Sequence, residues 1–238
     1  MNLHKIAGIT VDMGYKYDRM KNQIGAYRIS GGEKPDMTIY LSDEFLERKH
    51  EEHSHLTLGD LEYMYTGSVF YSVLINFGGF MLHSSSVLMD GKAYLFSAAS
   101  GTGKSTHTAL WQKVFGSDRA KILNDDKPAV RIGEDGIYAC GTPWSGKTDL
   151  NINVMAPIGG ICFLERSEKN WIKRVPGALA IAKLLNQTIR PNDEKDMDLL
   201  LKHVDTVLSK VPVYFMGCNM EDEAALMAYQ ALSKSEDL

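Results

Sequence analysis

Apolar and polar positions along the chain form short alternating runs, stretches with helical spacing, and breaks rich in Gly, Pro, Ser and Asp. Ile6 to Val11, Ile24 to Ile29 and Met37 to Leu41 are apolar runs separated by Gly31-Gly32 and Lys34-Pro35, and they predict three short strands. The charged run Glu44 to His53 predicts a solvated loop or helix face. Thr57 with Asp60 three residues on has the capping-box arrangement, so a helix is expected to start there. Its Leu61, Tyr65, Val69, Val73 and Phe77 recur at i+4 and are expected to face the core.

Ser84 to Met89 and Lys92 to Ser97 flank Asp90-Gly91, a strong two-residue hairpin signal. If Met89 faces Lys92, then Val87 faces Tyr94, Ser85 faces Phe96, and His83 falls opposite Ala98. Beyond it, Leu110, Trp111, Val114 and Phe115 predict a helix closed by Gly116, and Ala120 to Leu123 predicts a strand ending in Asn124-Asp125-Asp126. Val130 to Ile132 pairs with Ile137 to Cys140 as a hairpin, Asp149 to Val154 alternates like a strand, and a second hairpin joins Ile158 to Leu164 with Trp171 to Val175. Ala178 to Leu185 and Asp196 to Leu208 read as helices, Val211 to Met216 as a strand, and Glu221 to Leu232 as a helix capped by Asn219. Strands and helices in this mixture predict an α/β fold. The one break in character lies near residue 56, giving a small N-terminal β-rich portion (residues 1–56) docked on a larger core (residues 57–238).

Between the second hairpin strand and its following helix stands Ala98-Ala99-Ser100-Gly101-Thr102-Gly103-Lys104-Ser105-Thr106. Strand, small-residue loop, Gly-Lys-Ser and helix make the context of a phosphate-binding loop, although Ala98 stands where the strict pattern has Gly. A polyphosphate needs several backbone N–H groups converging on one point, and small residues let the backbone come that close. Ala99, Ser100, Gly101, Thr102, Gly103, Lys104, Ser105 and Thr106 are therefore the expected nucleotide contacts. Lys104 would neutralise the β- and γ-phosphates, Ser105 would ligate Mg²⁺, and the helix N-terminus favours negative charge. A rival pattern, Gly141-Thr142-Pro143-Trp144-Ser145-Gly146-Lys147-Thr148, fits the literal motif better. It is the poorer cradle, because Pro143 has no N–H, Trp144 is bulky, and no helix follows.

Bulk properties narrow the partners. With 238 residues, 44% apolar, 24% charged and a formal net charge of −4, the chain is an ordinary globular protein without the basic footprint of nucleic-acid or anionic-membrane binding. Its three cysteines, Cys140, Cys162 and Cys218, lack metal spacing and are expected as buried free thiols. No signal peptide and no membrane-length apolar run is recognisable, so a cytoplasmic protein acting on a small molecule, peptide or protein is expected; homo-oligomer formation is compatible with the sequence.

Further chemistry clusters around the loop. Asp125 and Asp126 end a buried strand beside it, where one acid can ligate Mg²⁺ and the other can accept the proton of an attacking hydroxyl. Asp126 is the preferred base and Asp125 the metal ligand. His83 arrives at the mouth of the loop as a metal ligand, phosphate contact or partner for the acids. Trp144 and Lys147 sit on a glycine-flanked segment expected to be mobile, with a stacking ring and a cation to bring over the acceptor or the transferring phosphoryl group. Arg190 is expected on the surface, and His50, His53 and His55 lack a completed ligand set.

With these residues identified, the chain resembles the HPr kinase/phosphorylase family, more specifically its short relatives beside peptide-modifying gene clusters. The resemblance runs through the His83 strand, the Asp-Gly hairpin, the phosphate loop, Asp125-Asp126, Gly141-Thr142-Pro143-Trp144 and the Ile158 to Glu165 strand, over residues 58 to 235. The family's core is also similar to ATP-type phosphoenolpyruvate carboxykinases, whose chains are much longer. The resemblance implies a mixed sheet with the loop between strand and helix, ATP (or GTP) with Mg²⁺, and phosphoryl transfer to a hydroxyl. The expected acceptor is a serine of a peptide or small protein. The family's Glu-x-Arg-Gly stretch is not recognisable, its place being taken by Trp144 to Asp149, and the N-terminal portion is short, which argues against HPr itself as substrate and against the reverse phosphorolysis. A small-molecule kinase, a non-catalytic nucleotide-binding partner of a modifying enzyme, and a phosphatase or phosphorylase using the same site remain open.

Overall fold

The computed structural model describes residues 2–234. Residues 1 and 235–238, the outer ends of the two expected portions, lie outside them. The first structured segment is a hairpin of β1 (Leu3–Ile6) and β2 (Ile9–Met13), to which β3 (Met37–Ile39) adds in parallel. The sequence pattern predicts one strand through Ile6 to Val11. Ala7 and Gly8 interrupt it, both with positive φ (51° and 80°), the two-residue turn that matches strand twist. The expected strand Ile24 to Ile29 is also absent. Met20, Ile24 and Tyr27 are buried at helical spacing, and they sit on α1 (Asp18–Ile24) and the 3₁₀ turn Gly25–Tyr27 that follows. The charged run forms α2 (Asp43–Glu52), capped by Ser42.

Helix α3 (Leu58–Leu74) starts with the expected capping box, Thr57 and Asp60 bonding each other's backbone N–H. Its buried face is rotated from the expected one: Tyr63, Thr66, Gly67, Phe70, Tyr71 and Leu74 are inside, while Tyr65, Val69, Val73 and Phe77 line the edge. The reason is that α3 packs on both the first sheet and the Trp144 segment, so the i+4 stripe through Leu61 marks only one margin of a wider apolar face. Tyr63, Phe70, Tyr71 and Leu74 share one apolar cluster with Ile6, Val11, Met13, Met20, Ile24 and Trp144.

The remaining strands form a nine-stranded mixed sheet. They are β4 (Gly79–Met81), β5 (Ser84–Met89), β6 (Lys92–Ser97), β7 (Lys121–Asn124), β8 (Ala129–Ile132), β9 (Ile137–Cys140), β10 (Met155–Arg166), β11 (Trp171–Arg174) and β12 (Val213–Cys218). The helices α4 (Lys104–Phe115), α5 (Gly177–Leu185), α6 (Glu194–Lys210) and α7 (Asp222–Ser233) complete the order. The β5–β6 hairpin has the predicted register, Met89 against Lys92, Val87 against Tyr94 and Ser85 against Phe96. Strand β10 belongs to two arrays: its first residues, Met155 to Pro157, pair antiparallel with β9, and from Ile158 it runs parallel to β6, with a register shift near Gly159, and from Ile161 also parallel to β12. The expected β10–β11 hairpin is therefore wrong: β12 inserts between them, parallel to β10 and antiparallel to β11. Asp149 to Val154 is not a strand either; only an isolated bridge joins Asn151 to Asn124.

Side chains alternate across the central strands and bury both faces. Tyr94, Phe96, Cys162 and Leu164 pack with Trp111 of α4 and the alanine face of α7, whereas Leu95, Ile161 and Phe163 pack with Leu184, Leu200 and Val204 of α5 and α6. Asn219 does not cap α7 as predicted: Glu221 holds that position, and the Asn219 side chain, two residues earlier, accepts from the Glu221 backbone N–H ahead of the helix. Cys140 and Cys162 are buried free thiols, while Cys218 is half-buried. Among the described residues no helix is long and apolar enough to cross a membrane.

Candidate functional site

Strand β6 ends at Ser97, and the chain turns through Ala98 to Gly103 before α4 begins at Lys104. Gly101 and Gly103 have φ of +75° and +121°, which residues with a β-carbon rarely adopt, so the turn depends on glycine at both places. Helix α4 starts without a side-chain cap, leaving its first N–H groups free for an outside acceptor. The Lys104 side chain folds back over the turn, Nζ donating to the Ala98 carbonyl at 3.0 Å and the Ala99 carbonyl at 3.4 Å. Burial lowers its pKa from the ordinary lysine value, against the opposing pull of Asp126 and Asp125. From the end of β10, Arg166 donates to the Gly101 carbonyl at 2.7 Å and the Thr102 carbonyl at 3.3 Å, fixing the outer side of the turn.

The acidic pair faces this turn from the end of β7. Asn124, fully buried, sets its geometry: Oδ1 accepts from the backbone N–H of Asp126 at 3.0 Å and of Lys127 at 2.7 Å. The amide Nδ2 donates to the carbonyls of Thr142 and Trp144 at 2.9 and 3.3 Å. One side chain thus holds both the acidic turn and the neighbouring loop. The two aspartates then diverge. Asp125 accepts a short bond from the Ser85 hydroxyl, which also lies 2.7 Å from Thr108 Oγ1 of α4. Asp126 meets His83, whose Nε2 lies 3.3 Å from Oδ1, and Lys127, whose Nζ lies 2.6 Å from Oδ2. Burial alone would raise the Asp126 carboxyl, but the bonds from His83 and Lys127 outweigh it and hold its pKa at about 2. His83 is positioned in turn by Gln187, whose Oε1 lies 3.0 Å from Nδ1.

The third wall is the Gly141 to Thr148 segment, and here the expectation of a mobile flap with a stacking Trp144 is overturned. Trp144 is 1% exposed and lies beside Phe70 with ring centroids 4.9 Å apart. Its Nε1 donates to Thr66 Oγ1 at 3.3 Å, and a β-carbon on Gly67 would come within 2.9 Å of its ring. The indole anchors the segment because α3 offers a glycine-sized notch there. Tyr63 Oη accepts from the N–H groups of Ser145 at 2.7 Å and Gly146 at 3.2 Å. Arg19 of α1 lies over the Tyr63 ring, pairs with Asp60 and donates to the Gly146 carbonyl at 3.3 Å. Lys147 stays exposed at the rim.

These walls enclose a cleft of about 670 Å³. It gathers His83, Asp125, Asp126 and Lys147 with Ser100, Gly101, Gly103, Lys104, Ser105 and Thr106, whereas Ala99 and Thr102 face neighbouring surfaces. Arg190 lies elsewhere, in a groove with Asp193 and Asp196 beside α3. His50 is turned to the Leu56 carbonyl at 2.8 Å. Among the described residues no group of three or more His, Cys, Asp or Glu is placed to hold a metal by itself. A Mg²⁺ ion fits the donors present only in the manner usual for that ion, with one or two protein oxygens and the rest from phosphate and water.

Sequence reasoning assigns no role to Asn124, Lys127, Tyr63, Arg19 or Gly146. Lys127 directly follows the acidic pair and Asn124 directly precedes it, so adjacency was their available signal. Arg19 and Tyr63 reach the cleft through tertiary packing that no local pattern encodes.

No protein-family model matches the chain, and no curated protein matches it in sequence. Among solved structures the chain is similar to the HPr(Ser) kinase/phosphatase from Coxiella burnetii, at 8% identity and a TM-score of 0.36, over 63% of this chain and 93% of that one.

Proposed function

We propose that the protein is a Mg-ATP-dependent phosphotransferase that passes the γ-phosphoryl group to a hydroxyl, with a serine of a peptide or small protein as the acceptor. The observation that carries this reading is the His83–Asp126 contact in a cleft whose opposite wall is the uncapped start of α4 with Lys104. Phosphoryl transfer asks little covalent chemistry of a protein. It needs cations and N–H dipoles where charge develops, and an acceptor held in line. The Ala98 to Thr106 turn and the N-terminal N–H groups of α4 supply the dipoles. Lys104, poised over the turn, would exchange its carbonyl partners for the β- and γ-phosphates.

Ser105 and Asp125 would hold Mg²⁺, which when bound neutralises charge on the β- and γ-phosphate oxygens. Asp126, ionised at neutral pH, would accept a hydrogen bond from the acceptor hydroxyl and orient it. With a pKa of about 2 it is a weak base, so it takes the proton only as the new bond to phosphorus forms. His83 and Lys127 keep it in place, and Lys147 at the rim would meet the transferring group or the acceptor.

The test is transfer from γ-labelled ATP to a peptide library by the full chain. Lys104→Ala and Asp126→Asn are each expected to abolish labelling while leaving circular dichroism unchanged. Labelling that survives either substitution removes the role assigned to that residue.

A further inference from the structure

A narrow apolar pocket of about 150 Å³ opens off the charged cleft and shares Tyr63, Met64 and Lys127 with it. Gly67 of α3 and the buried Trp144 close its inner end, and Ile189, from the link between α5 and α6, flanks it. Met64 and Ile189 are 50% and 39% exposed, two large apolar side chains left in water at its mouth. A further hollow of about 300 Å³ shares Tyr71 and Ile189 with the pocket and extends to Arg190. The α3 residues lining these spaces advance in order, from Tyr63 and Met64 at the cleft through Gly67 and Ser68 to Ser72. The groove therefore follows the helix for about 14 Å.

Both walls of the groove are tied to the charged cleft. On the α3 side the Tyr71 hydroxyl donates to the Lys127 carbonyl and lies 2.8 Å from Thr142 Oγ1. On the other side, the link that carries Ile189 begins at Gln187, whose carbonyl accepts from the His83 N–H at 2.7 Å and whose Oε1 lies 3.0 Å from His83 Nδ1. Thr188 Oγ1 donates to the Met81 carbonyl. The pocket is thus formed in advance and held in a fixed relation to the His83–Asp126 pair.

We infer that this groove seats an extended peptide segment carrying the acceptor serine, with a large apolar side chain, two residues from that serine, in the pocket beside Met64 and Ile189. The inference rests on the phosphotransferase reading given above and narrows its acceptor. Spacing supports this occupant first. Lys127 borders the pocket while its Nζ lies 2.6 Å from Asp126 Oδ2, so pocket and carboxylate are one lysine apart. Two residues of extended chain cover about 7 Å, close to the reach of that four-carbon stem, and their side chains point to the same face. Extent supports it second. A small-molecule acceptor needs only the cleft, whereas a further 14 Å or so of groove accommodates about four extended residues. The chemistry of the pocket selects an apolar side chain. Lys127 is the one charged residue bordering it among the described residues, and its ammonium is turned to Asp126, so a charged side chain finds no partner there.

The test offers the full chain, with Mg-ATP, single-serine peptides that differ at the three positions on either side of the serine. Leucine two residues from the serine, on one side of it, is expected to raise kcat/KM about tenfold over alanine at that position, and further over aspartate. Met64→Glu, at an exposed position of α3, should remove the leucine preference and create one for lysine at the same position, a gain that misfolding cannot produce. Labelling that ignores the neighbours of the serine, a preference at another position, or the absence of the lysine gain overturns the groove assignment and leaves the phosphotransferase reading standing. A dimer in sedimentation that Met64→Glu splits gives the pocket to a second copy of the chain and overturns it as well. Labelling of no peptide removes the peptide acceptor, and the groove assignment with it.

Discussion

Gly146 lies against Asp126 so closely that a β-carbon on the glycine would stand 2.8 Å from Asp126 Cβ and 3.2 Å from its Oδ2. The glycine also holds a φ of +73°, which disfavours any side chain there. Gly146→Ala is therefore expected to move the loop or the carboxylate, at a cost of about 1–2 kcal/mol in stability. Transfer activity should fall by roughly tenfold or more if Asp126 has the proposed role, since a displacement of an orienting group is felt strongly in rate. Urea denaturation and the labelling assay measure the two effects separately. Full activity in this variant would mean that the position of Asp126 does not matter to turnover.

The same carboxylate fixes part of the protein's response to acid. Its folded pKa of about 2 lies below the ordinary aspartate value of 3.8, so the folded state binds the proton less readily than the unfolded chain. The resulting stabilisation is complete above about pH 4 and is lost as pH falls through 2. Its size is roughly 2 kcal/mol. Asp126→Asn should show a shallower loss of stability than the parent protein between pH 4 and pH 2, followed by denaturant melts at each pH. Parallel curves for the two proteins would show that His83 and Lys127 do not stabilise the carboxylate.

Asn124 has a larger structural task than either acid beside it. Its one amide satisfies the N–H groups of Asp126 and Lys127 and donates to the Thr142 and Trp144 carbonyls. Asn124→Ala removes all four of those bonds at a half-buried turn and should cost about 2–4 kcal/mol. Asn124→Asp keeps the acceptor but loses the donor and buries a charge, so rescue is expected to be poor. Thermal melts of both variants, with Trp144 fluorescence reporting on the loop, test this.

How much of this was legible in the sequence follows the range of the interactions involved. The β5–β6 hairpin register could be read residue by residue, because Asp90-Gly91 fixes it locally and both Asp90 and Gly91 take the positive φ that the turn requires. The Thr57–Asp60 cap and the strand ending at Asn124 were equally local. The failures are cases in which distant packing decided the outcome. Trp144 looked like a mobile ring because nothing near it in sequence shows that Gly67, on another element, leaves room for it. The Ile24 to Ile29 run looked like a strand because its apolar residues suit either period, and the helix was settled by Met20 upstream. The position of β12 between β10 and β11 is a choice among sheet partners, which local pattern does not encode.

His107 gives a last prediction, one that concerns the body of the fold more than the cleft. Burial pushes its pKa from 6.5 down to about 4, and its Nε2 is already committed as acceptor to Trp111. The unfolded chain therefore takes up a proton below about pH 6.5 while the folded protein resists until about pH 4. Stability that is complete above 6.5 falls across that window by roughly 3 kcal/mol. His4, also buried and lowered by burial, acts in the same direction, so the informative quantity is the difference between the parent and a His107 variant. His107→Gln keeps an acceptor within reach of Trp111 without a titrating ring. It should flatten the loss between pH 6.5 and 4 and leave the lower-pH loss due to Asp126 in place. Trp111 emission should follow the same split, because protonation of the imidazole removes its acceptor lone pair. An unchanged slope in the variant would assign the acid sensitivity of this region to His4 and the N-terminal sheet.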